Sequence, residues 1–228
     1  MLAHLSWLDS FAIFAFFAMW LGYARYHRWQ SRRAASLMGT VHGYRRQWMA
    51  QVLQRDNRLI DASILANLSN SSTFFASTTL LILGGLLALL GAKEKIVNVM
   101  ADLPFAVRSS EALWEVKIML LLLIFIYAFF LFTWSLRQFN FVSILVGAAP
   151  QHDIGSDENF DPFVHRTGRL VSLAGTSFNN GLRAYYFALA ALMWFVHPWL
   201  MIIATALVVL ILYWREFRSE TLHALTDD

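Results

Sequence analysis

The sequence predicts an all-α integral membrane protein: one domain folded as a bundle of five, alternatively four, transmembrane helices with helical extensions into the cytoplasm. Three observations predict it. Of 228 residues, 58% are hydrophobic and only 14% are charged, against about 25% charged in soluble domains. Two long runs, 62–92 and 118–136, hold no charged residue at all. Arginines crowd the segment between the first two apolar runs, as loops on the cytoplasmic face do.

The first span covers 7–24, with Trp7 at one interface and Trp20 and Tyr23 near the other. At about 27 Å it matches the hydrocarbon thickness. It lacks a basic leader and a small-residue cleavage site, so it reads as a retained span. Asp9 falls at the outer rim, where solvation is expected. The loop that follows carries Arg25, Arg28, Arg32, Arg33, Arg45, Arg46, Arg55 and Arg58 against the single acid Asp56. The positive-inside rule makes it cytoplasmic and the N-terminus external. Within it, Arg45-Arg46-Gln47-Trp48-Met49 reads as an amphipathic helix. Trp48, Met49 and Leu53 face inward, and Arg45, Arg46 and nearby Arg58 face lipid headgroups.

The second span, 62–92, exceeds the ~30 Å layer and must tilt or project. Its first half is dense in Ser, Asn and Thr; its second is Leu, Ile, Gly and Ala. Segment 93–117 balances its charges, which suits the outer side. The third span, 118–136, runs on as a helix toward Pro150. An acidic loop with Asp153, Asp157, Glu158 and Asp161 follows; its spacing is not that of an EF-hand. Asp161-Pro162 then starts an amphipathic helix over 163–179. The last apolar region carries His197-Pro198 near its middle and aromatic residues at both ends and centre. That pattern predicts a hairpin of two short spans, 182–196 and 199–214. One long kinked helix is the four-span alternative.

Three stretches carry a family resemblance. They are Met38-Gly39-Thr40-Val41-His42-Gly43-Tyr44-Arg45-Arg46-Gln47-Trp48-Met49, then Phe74-Phe75-Ala76-Ser77-Thr78 with Gly84-Gly85, and Ser177-Phe178-Asn179-Asn180-Gly181-Leu182-Arg183-Ala184-Tyr185-Tyr186-Phe187 running to Trp194-Phe195. Together they resemble the DUF599 family of uncharacterised polytopic membrane proteins. The chain departs from the expected pattern at His42, which stands where the resemblance implies an Asn after Gly-Thr-Val. The resemblance implies a polytopic membrane fold and supplies no activity.

Two groups of residues are candidates for function. Ser63, Asn67, Asn70, Ser71, Ser77 and Thr78 recur on one face of the second span, interrupted by Phe74 as a constriction. They line a water-filled path or serve as glue between helices. Asn179, Asn180 and Arg183 precede the fourth span. Set beside the polar half of the second span, they form a cationic vestibule that favours anions; otherwise Arg183 snorkels to lipid phosphate. His197 reads as a turn histidine. The remaining histidines are dispersed, without the spacing of a zinc or haem site, and no cofactor is expected. With no cysteine in the chain, disulfides and thiolate metal sites are excluded.

Three functions follow, in order. The first is a channel or transporter for a small solute or anion, assembled as a homo-oligomer. The second is an accessory membrane protein docking a partner through the Ser/Asn/Thr face. The third is a lipid-acting enzyme with Asp56, Asp61 and His42 as candidate groups; no nucleophile–base pair supports it. The expected partners are the bilayer and its anionic headgroups, not nucleic acid. The expected location is the cytoplasmic (inner) membrane of a bacterium.

Overall fold

A computed structural model describes residues 6–31, 33, 35–92, 111–150 and 161–226. Helix α1 (Trp7–Gln30) opens with a capping box: Ser6 accepts from the Asp9 amide, and the Asp9 carboxylate accepts from the Ser6 backbone. Asp9 is not solvated, as the sequence suggests, but buried, and its Oδ1 accepts 2.8 Å from Trp194 Nε1. A carboxylate spared from water needs such donors.

Helix α2 (Leu37–Gln54) is capped by Ser36 and buries Met49, Val52 and Leu53. Helix α3 (Leu59–Gly91) buries Asp61, Leu65, Ser72, Ala76, Thr79 and Leu86 along one face. Helix α4 (Glu111–Gly147) is the centre of the bundle, covered along most of its length. Helix α5 (Asp161–Leu192) is continuous. The expected amphipathic helix and the start of the fourth span are therefore one element. A 3-10 turn (Met193–Phe195) breaks the chain before α6 (Pro198–Phe217), with His197 as N-cap and Pro198 in the first turn. A short α7 (Glu220–Thr226) follows. The acidic residues 153, 157 and 158 lie outside the described residues.

By length and composition four helical segments can cross a membrane: Trp7–Gln30, Leu59–Gly91, Glu111–Gly147 and Pro198–Thr226. Together they fit an all-α membrane protein. The end of α5 at 182–192 turns back through His197-Pro198 into α6. The single kinked helix of the four-span alternative is not found, because the 3-10 turn separates α5 from α6; α5 is not among the four segments long and apolar enough to cross.

Two hydrophobic cores divide the molecule along its length. The larger gathers Phe16, Trp114, Leu121, Phe132, Phe187 and Met201 from α1 and α4–α6. The smaller gathers Met49, Val52, Leu65, Phe139, Val142 and Val171 from α2, the start of α3, the end of α4 and the start of α5. The Ser72–Ser135 hydroxyl contact, 3.2 Å, registers α3 against α4. If the uncharged run 118–136 fills the apolar layer, Ser72 lies near its arginine-rich boundary and the smaller core lies beyond it. Gly181 lets α5 approach α4 closely: a Cβ there would come within 2.6 Å of the Phe132 ring.

Candidate functional site

The first turn of α2 and the ends of α1 and α6 converge on Arg183 of α5. Arg183 Nη2 lies 2.9 Å from His27 Nε2 and donates 3.3 Å to Glu216 Oε2. Glu216 Oε1 lies 3.2 Å from His27 Nε2 and accepts from the Met38 amide at the same distance. His27 Nε2 accepts from Arg183 in one tautomer and donates to Glu216 in the other. The Arg183 guanidinium lies 5.6 Å from the Tyr23 ring centre. Asn179 Nδ2 donates to the sulfur of Met38 at 3.3 Å.

Each side chain reaches this point for a local reason. Roughly 27 Å of helix separates Asp9 from His27 on α1, and as much separates Pro198 from Glu216 on α6. Both helices start at the Trp194 end and deliver their last turns to the opposite one. The N-terminus of α2, with its free N–H groups, meets the Glu216 carboxylate there. The charges are largely withdrawn from solvent: the side chains of Arg183 and Glu216 retain 17% and 8% of their exposure. Such a pair persists only when hydrogen bonds satisfy it, as they do here.

Beside the cluster is a cavity of about 90 Å³, lined by Met38, Asn179, Arg183, Tyr186, Arg215 and Glu216 among others. Arg215 Nη1 donates 2.8 Å to the Tyr186 hydroxyl. Behind the cluster, the guanidinium of Arg45 rests against Gly175, where a Cβ would collide with it. Arg45 is therefore turned inward, not toward headgroups as its helix position suggests, because α5 presents a glycine that admits it. Burial pulls Arg45 below its ordinary pKa. His42 is held below its ordinary value by burial and by Arg45, with Glu216 opposing. Among the described residues, the buried Nε2 of His42 and hydroxyl of Tyr23 have no hydrogen-bond partner.

The other candidate residues fall elsewhere. On α3, Ser63, Asn67, Asn70, Ser71, Phe74 and Ser77 are exposed and Thr78 is half-buried, all opposite the buried face. The stripe turns away from the bundle and does not meet Arg183, so the two do not form one vestibule within a single chain. Phe74, 65% exposed, constricts nothing within it. Ser71 spends its hydroxyl on the Asn67 carbonyl. Ser63, Asn67 and Asn70 precede Ser72 on α3, and Phe74, Ser77 and Thr78 follow it. Asn180 is half-buried.

Arg46 is exposed. Arg58 instead donates to the carbonyls of Val146, Ala149 and Pro150, closing the C-terminus of α4. Asp61 accepts from Trp48 Nε1 and Arg55 Nη1, each at 2.7 Å. Through Trp48 it ties α2 to α3.

Sequence reasoning found Arg183 and Asn179 but missed Glu216, His27 and Met38. One signal was present for Glu216: between Asp161 and Glu220 it is the only acid.

The model of a family described as "Protein of unknown function, DUF599" matches residues 11–221. No curated protein matches, and no solved structure matches.

Proposed function

The chain belongs to the DUF599 family, whose description assigns no activity, and from that premise we propose that it moves a small anion across the membrane. The Arg183 cluster is the binding station at the cytoplasmic boundary. One observation carries this reading: two guanidiniums, Arg183 and Arg215, line a small cavity against the single carboxylate of Glu216. A net positive pocket within the membrane's edge raises the local concentration of anions. The arginines of α1 and α2 orient this end toward the cytoplasm.

The outward face of α3 supports assembly. Ser77 and Thr78 lie within the apolar layer, where polar groups need protein or water. A second copy of the chain supplies both partners and a path between copies, which is how the stripe serves transport.

Flux through liposomes holding the purified protein tests the reading, with chloride, phosphate, potassium and protons screened in turn. Anion flux that falls in Arg183→Gln supports it. Asn70→Leu separates the stripe from the cluster: unchanged flux in that variant removes the first half of α3 from the pathway.

A second reading is an accessory protein that docks another membrane protein through α3. Gly84 and Gly85, with nothing within 4 Å of a built Cβ, favour it because they allow close helix approach. A homogeneous complex of this chain alone counts against it.

A further inference from the structure

We propose that the cavity between α2, α5 and α6 binds a phosphate-type oxyanion through the guanidiniums of Arg183 and Arg215. The proposal rests on the cluster as a binding station and names its ligand class.

Size comes first. About 90 Å³ is the room of about three waters at ~30 Å³ each. That accommodates one small oxyanion group.

Donors come second. Arg183 commits only Nη2, to His27 and Glu216. Arg215 commits only Nη1, to Tyr186. Among the described residues the other N–H groups of both guanidiniums have no hydrogen-bond partner. A planar fork with unused donors matches the oxygens of an oxyanion two at a time. One fork satisfies a carboxylate. Two forks on neighbouring helices, that of Arg215 bonded to the Tyr186 hydroxyl, call for the further oxygens of a tetrahedral group.

Charge comes third. Glu216 is already met by Arg183, His27 and the Met38 amide. It therefore offsets one guanidinium and leaves the other uncompensated, and Arg45 behind the cluster adds positive charge. A halide satisfies the charge but leaves most of the fork donors unused.

Two sources supply the same chemistry at this boundary: the phosphodiester of a lipid headgroup and free phosphate. The test uses full-length protein in detergent, with its unfolding midpoint followed at fixed ionic strength. One arm titrates inorganic phosphate against chloride. The other titrates short-chain phosphatidylglycerol against a diacylglycerol lacking the phosphate.

The expected result is a rise in midpoint with at least one phosphate probe over its control. Arg215→Gln should weaken the apparent Kd about tenfold or more, the loss expected for charge-assisted bonds. Arg215 is the residue of choice because it is exposed and makes one hydrogen bond, whereas Arg183→Gln takes a charged partner from the buried Glu216. A response to the phospholipid alone assigns the site to a headgroup; a response to inorganic phosphate assigns it to the free anion. No response beyond the controls, or wild-type binding by Arg215→Gln, overturns the proposal. Phosphate binding without anion flux keeps this site and removes the transport reading; anion flux without phosphate binding does the reverse.

Discussion

His42 contributes one part of the pH dependence of stability. Among the described residues its buried Nε2 has no partner, and burial with the Arg45 charge holds its pKa below the ordinary 6.5 when folded. In the unfolded chain it titrates at its ordinary value. Above 6.5 both states are neutral and nothing changes. As pH falls from 6.5 toward the depressed value, the unfolded chain takes up a proton that the folded chain resists, so stability drops. His42→Asn cannot titrate and should lose that part of the acid slope, read as unfolding midpoint against pH. Equal slopes in the two proteins would contradict the placement of His42. At this scale the sequence was only partly legible. Arg183 stands out because an arginine amid apolar residues demands a partner. His27 and Glu216, its partners, come from helices at opposite ends of the chain. Spacing rules reach only three or four residues along one helix, so nothing local joined them. Arg45 misled for a related reason: its inward turn depends on Gly175, on a helix far along the chain.

Among the elements, α5 teaches most. Asn179-Asn180-Gly181 and the change from mixed to apolar sequence read as a boundary, yet the helix continues through them. Gly181 is there for contact, since a side chain would strike the Phe132 ring. Gly181→Ala should therefore destabilise by about 1–3 kcal/mol, the range for overpacking a filled core. Gly22→Ala, at an exposed site with nothing within 4 Å, should be neutral or stabilise by up to about 1 kcal/mol from helix propensity. Unfolding midpoints of the two variants in one detergent check the contrast; equal effects would mean α4 and α5 are not so closely packed. The hairpin at His197-Pro198 was legible because Pro at a first helical position is a local rule. The α3 stripe was legible as a face. Its direction was not, because period alone cannot say which side of an almost uniformly apolar helix meets the bundle. Asp61, Ser72 and Thr79 settle it by turning to α2, α4 and α5 through Trp48, Ser135 and Tyr185.

At the scale of the whole molecule, two cores stack along the helices, and the ion cluster lies toward the end where α2 joins. Composition alone made the membrane class legible. The division into two cores was not, because it depends on α3 and α4 outrunning the bilayer and being met there by α2 and α5. The orientation is testable because the chain has no native cysteine. In spheroplasts an impermeant maleimide should label Ser10→Cys directly and Gln47→Cys only after lysis. The reverse pattern would place the cluster on the outer side. The central claim is that this cluster serves anion movement, and the most direct measurement is anion flux against potassium flux from proteoliposomes. Arg183→Gln and Arg215→Gln are compared with the unaltered chain after their unfolding midpoints confirm folding. The account predicts flux of chloride or phosphate well above potassium, reduced in both folded variants. Equal anion and potassium flux, no flux, or anion flux indifferent to both substitutions would contradict it.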